Sequence, residues 1–172
     1  DTFEYTNERF ADLQMLRYKV EGFEDLTLKQ KTFIYYLQEA ALYGRDILFD
    51  QNGKYNLRIR KMMEDAYVNY DGDRTDKDFV AFETYLKRLW FSNGIHHHYG
   101  CEKFRPGFTQ EFLHQALGQL QAEHIALGYS SLEALEQELF PVIFDPSVMP
   151  KRVNQAAGED LLLTSACNYY AP

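Results

Sequence analysis

Five histidines and two cysteines carry much of the chemistry open to this 172-residue chain, and three of the histidines are adjacent. The stretch WFSNGIHHHYGCEKF, residues 90–104, sets His96, His97 and His98 between Gly94 and Gly100, with Tyr99 behind them and Cys101 just beyond. Three imidazoles in a row suggest metal ligation, proton transfer or a substrate-lining loop; a plain surface turn is the other reading. Neighbours on a loop point in different directions, so two of them seldom reach one ion. Zinc sites use spacings such as HExxH on a helix or CxxC on a knuckle. The chain has neither, and adding Cys101, His114 and His124 completes no recognised zinc pattern. No intrinsic metal site is expected.

The remaining reactive groups are no easier to assemble. His124 falls on an apolar stripe, where a neutral ring with a satisfied nitrogen is the ordinary occupant. His114 lies off that stripe and reads as solvated. Cys101 needs a base and an electropositive pocket to act as a nucleophile; His98 is near, but nothing in the sequence positions it. The acidic pairs Glu24/Asp25, Glu64/Asp65 and Glu159/Asp160 look like helix and turn charges. There is no GxSxG elbow and no phosphate-cradling glycine loop. The residues alone complete no active site.

Composition narrows the class. At 45% hydrophobic and 26% charged, the chain can build one folded domain with a core. A net charge of −8 with no basic stripe excludes sequence-independent nucleic-acid binding. No apolar run approaches the roughly 20 residues that span a bilayer. Cys101 and Cys167 stand far apart and identify neither a disulfide framework nor a compartment. An aromatic content of 16% asks for a bulky core plus a surface where rings meet a partner.

The elements that must position the histidine loop are helical. Residues 1–26 read as an extended arm with a turn at Gly22. Thr27-Leu28-Lys29-Gln30 is a capping-box spacing, and the following TFIYYLQEAALYGRDILF is apolar on nearly every face, which predicts a central buried helix. Gly44 inside it suggests close packing against another helix. Asn52-Gly53 ends that helix. Ile59, Met62, Met63, Ala66, Tyr67 and Tyr70 make the next amphipathic stripe. DGDRTDKD is a solvated turn that lacks the later Glu of a calcium loop. Phe79, Phe82, Leu86 and Leu89 mark a third helix, stopping at Asn93-Gly94. Leu113, Ala116, Leu117, Leu120, His124 and Leu127 mark a fourth, after Thr109. Ser130 to Glu133 is a second capping box, opening a short helix that must stop before Pro141. The close, DLLLTSACNYYAP, reads as a short strand or apolar segment. The expected architecture is a mainly α single lobe: an arm over 1–26, a core of about five helices over 27–140, and loop plus short strand over 141–172. The apolar ending suggests that the natural chain continues.

Two segments, LTLKQKTFIYYLQEAALYGRDILFDQNGKYN and YLKRLWFSNGIHHHYGCEKFRPGFTQEFL, resemble the amino-terminal part of dipeptidyl peptidase III, a family of zinc aminodipeptidases. The resemblance covers much of residues 16–172 and is nearest to the bacterial branch. Its specific features are the helix YYLQEAALYGRDI and the loop SNGIHHHYGCEKFRP. It implies a two-lobed hydrolase that removes dipeptides from the amino end of short peptides. Its zinc is held by a His-Glu-three residues-His helix and a later Glu in another lobe, and neither is present in this chain. The expected catalytic and metal residues here are therefore none, with zinc belonging to the longer enzyme. The implied partners are short peptides and the zinc-bearing lobe of the same protein, with no nucleic acid and no membrane. The resemblance puts Tyr99 against the peptide, with His98, His97 and Asn93 as further substrate-binding candidates. Other side chains replace the three histidines in the animal branch, so the roles of His96, His97 and His98 stay open. Localisation stays unknown: the resemblance implies the cytoplasm, and a leader removed before Asp1 would allow the periplasm. The rival readings are a stand-alone helical module that binds peptides or proteins through the HHHY loop, and a histidine-loop metal binder.

Overall fold

The computed structural model describes residues 3–99, 102–118, 120 and 128–150. The protein is mainly helical, with a small two-stranded antiparallel sheet. Its chain divides into two compact units, Asp1–Ile47 and Leu48–Pro172.

In the first unit, β1 (Thr6–Phe10) pairs with β2 (Leu13–Leu16), Phe10 opposite Leu13 and Thr6 opposite Leu16. The hairpin turn uses Ala11 at φ 49°, a left-handed conformation that alanine rarely adopts, so the usual Gly or Asn turn signal was missing. Gly22 takes φ 78° and makes the expected turn. Helix α1 (Leu28–Tyr43) opens on the capping box: Thr27 Oγ1 accepts from the Gln30 amide at 3.4 Å, and Gln30 Oε1 accepts from the Thr27 amide at 2.9 Å.

Two expectations for this helix are corrected. It is not buried: none of its residues is, and Phe33 and Tyr43 are 63% and 89% exposed. Nor does it run to Asn52. The backbone breaks at Gly44, and α2 (Arg45–Asn52) is a separate helix that crosses the boundary between the units. A Cβ at Gly44 would meet only the Ala41 carbonyl oxygen, at 3.5 Å, which is ordinary contact. Gly44 marks a helix end, where its amide caps the carbonyls of Ala41 and Leu42, rather than a close helix crossing.

The second unit holds the core. Helix α3 (Asn56–Asn69) buries Ile59, Met62, Met63 and Ala66, the stripe its spacing predicts, and adds two polar residues, Asn56 and Arg60. The Arg60 guanidinium lies 4.6 Å from the centre of the Phe49 ring, and its Nε approaches Glu64 at 3.3 Å, so the buried charge is partly compensated. Asp76 caps α4 (Lys77–Ser92) by accepting from the Asp78 amide at 2.8 Å. Phe79, Phe82, Leu86 and Leu89 face inward from α4, together with Tyr85 and Ser92, and α4 packs on α3. Helix α5 (Gln110–Gly118) buries Leu113, Ala116 and Leu117, and packs on α6 (Leu132–Phe144).

The N-cap of α6 is Ser131, which accepts from the Ala134 amide at 3.2 Å, one residue later than the spacing suggested. The helix does not stop before Pro141; it continues through it to Phe144. An internal proline costs about 3 kcal/mol through the lost amide and the ring clash. Beyond it, Val142 and Ile143 are both buried in the core, each worth about 1.5–3 kcal/mol. Tertiary burial thus outweighs the local penalty. The expected short strand near the carboxyl end, Cys167 and His124 lie outside the described residues.

Candidate functional site

The histidine loop is held at its start by two asparagines that carry no chemistry of their own. Helix α4 ends on Asn93 in the left-handed conformation, φ 53° and ψ 39°, where an Asn side chain is tolerated. Asn52 Nδ2 donates to the Asn93 carbonyl at 3.2 Å, and the buried Asn56 accepts from the Ile95 amide at 3.2 Å. Gly94 lies so close to the Asn56 amide group that a Cβ there would collide with it. The chain then turns into a short antiparallel pairing. The His97 amide donates to the Glu102 carbonyl at 2.8 Å, the Phe104 amide donates to Ile95 at 2.9 Å, and His96 faces Lys103 across the pair. Gly100 and Cys101 fall outside the described residues.

The three imidazoles do different things. His96 Nε2 lies 2.9 Å from the Met149 carbonyl oxygen, so it donates a proton there and ties the hairpin to the segment after α6. Lys103 reinforces that tie: its Nζ donates to the carbonyls of Asp145 and Val148 at 2.7 and 2.8 Å. Burial pushes the Lys103 ammonium below its usual range, and Asp145 nearby partly opposes this. His97 Nδ1 accepts from the Tyr99 amide at 3.2 Å, which fixes the proton on Nε2 in the neutral ring. The rings of His97, His98 and Tyr99 follow one another with centroids 4.5 and 4.3 Å apart, and His98 meets Phe91 edge-on at 4.9 Å. Tyr99 stands at the tip, 91% exposed. Among the described residues, no group of three His, Cys, Asp or Glu side chains gathers in a way that could hold a metal ion.

A groove of about 860 Å³ runs between the hairpin and one face of α4. Ala81, Thr84, Tyr85 and Arg88 supply the helix wall at the i, i+3, i+4, i+7 spacing of a single face. His97, Tyr99 and the segment from Glu102 to Arg105 supply the other. The Arg88 guanidinium lies 5.3 Å from the centre of the Phe104 ring, which orients it. Tyr85 is 2% exposed, and burial raises the pKa of its phenol, keeping it a neutral donor.

The expected site residues are thus distributed. Tyr99 and His97 line the groove, His98 stacks between Tyr99 and Phe91, and Asn93 caps the helix and accepts from Asn52. The sequence reading missed Tyr85, Arg88 and Arg105, which line the same groove. The signal for Tyr85 and Arg88 was there: both sit at i+4 and i+7 from Ala81 on α4. His114, read as solvated, is half exposed and pairs with Glu136 at 2.7 Å, joining α5 to α6. Compared with known proteins, the chain matches no family model and no curated protein.

Proposed function

We propose that this chain supplies one wall of a peptide cleft in a zinc-dependent dipeptidyl peptidase of the kind it resembles, dipeptidyl peptidase III, and that the zinc and its general base lie outside these residues. The observation that carries this reading is Tyr99: a nearly fully exposed ring, at the tip of a hairpin braced from three sides, beside a groove. The bracing comes from Asn52 and Asn56 at the hairpin's start, from the paired strands, and from the His96 and Lys103 contacts to residues 145–149. An exposed aromatic normally costs order; one held on a rigid stalk is preorganised for a partner. A phenol offers a flat apolar face and one hydroxyl, which suits peptides of varied side chains. The imidazoles beside it carry ring nitrogens that can donate to or accept from backbone amides.

In the reaction, the chain's part is positioning. Its groove would hold and orient the peptide, and zinc held outside these residues would supply the Lewis acid for hydrolysis. The test has two arms. The 172-residue chain, given zinc and a dipeptidyl-naphthylamide, is expected to release no naphthylamine, yet to bind short peptides through the hairpin. Chelator-sensitive release by this chain alone would refute the division of labour.

A further inference from the structure

The groove beside the hairpin has a charge balance opposite to that of the chain. Three cationic side chains, Arg88, Lys103 and Arg105, line it against one carboxylate, Glu102, in a protein of net charge −8. The three cations are not equivalent. Lys103 spends its protons on the carbonyls of Asp145 and Val148 and so contributes field rather than contact. Arg88 is oriented by the Phe104 ring, and Arg105 is exposed at the rim. A guanidinium is the side chain best shaped to take a carboxylate by two parallel hydrogen bonds. The Tyr85 ring forms part of the groove wall, while its buried hydroxyl lies below the surface that a ligand meets.

From this, we infer that the groove between α4 and the histidine hairpin is a carboxylate subsite, recognising an acidic group of a bound peptide through Arg88 and Arg105. The inference rests on the peptide reading above and adds the class of group that the cleft selects. Two sources present the same chemistry, a peptide's terminal carboxylate and the side chain of Asp or Glu, and the test separates them.

The experiment is an amide-resolved NMR titration of the 172-residue chain with three acetylated pentapeptides: penta-alanine as the free acid, penta-alanine as the carboxamide, and the carboxamide with Glu at the centre. At least one carboxylate peptide should bind tenfold more tightly than the neutral carboxamide, and which one does so identifies the source. Arg88→Gln and Arg105→Gln should each remove most of that preference, lowering the affinity for the carboxylate peptides far more than that for the carboxamide. Equal affinity for all three peptides, or a preference that survives both arginine changes, overturns the subsite and leaves the peptide cleft standing. Absence of any hairpin response to all three peptides sinks both.

Discussion

Helices α1 and α4 are each 16 residues long and rich in aromatics, yet the first buries none of its residues and the other forms the centre of the core. The difference lies in arrangement. In α4 the large apolar residues Phe79, Phe82, Leu86 and Leu89 repeat every three or four positions, so a single face needs cover and α3 supplies it. In α1, Phe33, Ile34, Tyr35, Tyr36 and Leu37 are consecutive and point all round the helix. A stripe states both that a helix is buried and which side is covered. A ring of apolar residues states a demand for burial and nothing about what meets it.

That contrast can be broken most forcefully in the core. Leu86→Ala empties a site of 0% exposure and should cost about 3 kcal/mol in urea unfolding, whereas Phe33→Ser on α1 should shift stability by less than about 0.5 kcal/mol. Comparable losses from the two would show that α1 is covered in solution. Next in size, Gly94→Ala drives a methyl group into the Asn56 amide and should cost about 2 kcal/mol, with the hairpin amides of His97 and Phe104 losing hydrogen-exchange protection before the core does. Unchanged protection there would mean that the loop does not depend on this close approach.

Smaller effects sharpen the same comparison. Thr27→Ala removes the cap of α1, whose stability rests on little besides local terms, and should cost that helix about 1 kcal/mol, read as faster amide exchange in its first turns. The smallest effect is the pH dependence of the pair joining α5 and α6. The hydrogen bond to Glu136, followed by its charge, raises the pKa of His114 above the ordinary 6.5. A raised folded value means that this stabilisation is fully present below the unfolded value and fades as pH rises through the folded one. With His114 half exposed, solvent screening leaves at most a few tenths of a kcal/mol. His114→Gln should flatten the fall in stability as pH rises above the ordinary 6.5 by that amount; an unaltered slope would remove His114 as its source.

Much of the helical layout was legible because stripes are local. The burial of Ile59 to Ala66 on α3, the left-handed stop at Asn93 and the Thr27 capping box all follow from neighbouring residues. The failures were non-local. Pro141 is tolerated only because Val142 and Ile143 reach the core, and the Ala11 turn carries no glycine to announce it. The candidate site divided in the same way. Tyr99 and the histidines stood out by type and Arg88 was marked by its helical spacing from Ala81, whereas Arg105 and the clamping Asn56 became visible only once the hairpin lay beside α4.

The most direct test of the central claim, that the braced Tyr99 hairpin is a peptide-binding wall, is a comparison of the chain with its Tyr99→Ala variant. Each is titrated with the acetylated penta-alanine carboxamide and followed at the amides of residues 95–99 and 102–105. The account predicts saturable shifts centred on these residues and a loss of affinity of about fivefold or more in the variant, with the fold unchanged because Tyr99 is exposed. Binding that the variant retains in full, or shifts confined to α1, would contradict it.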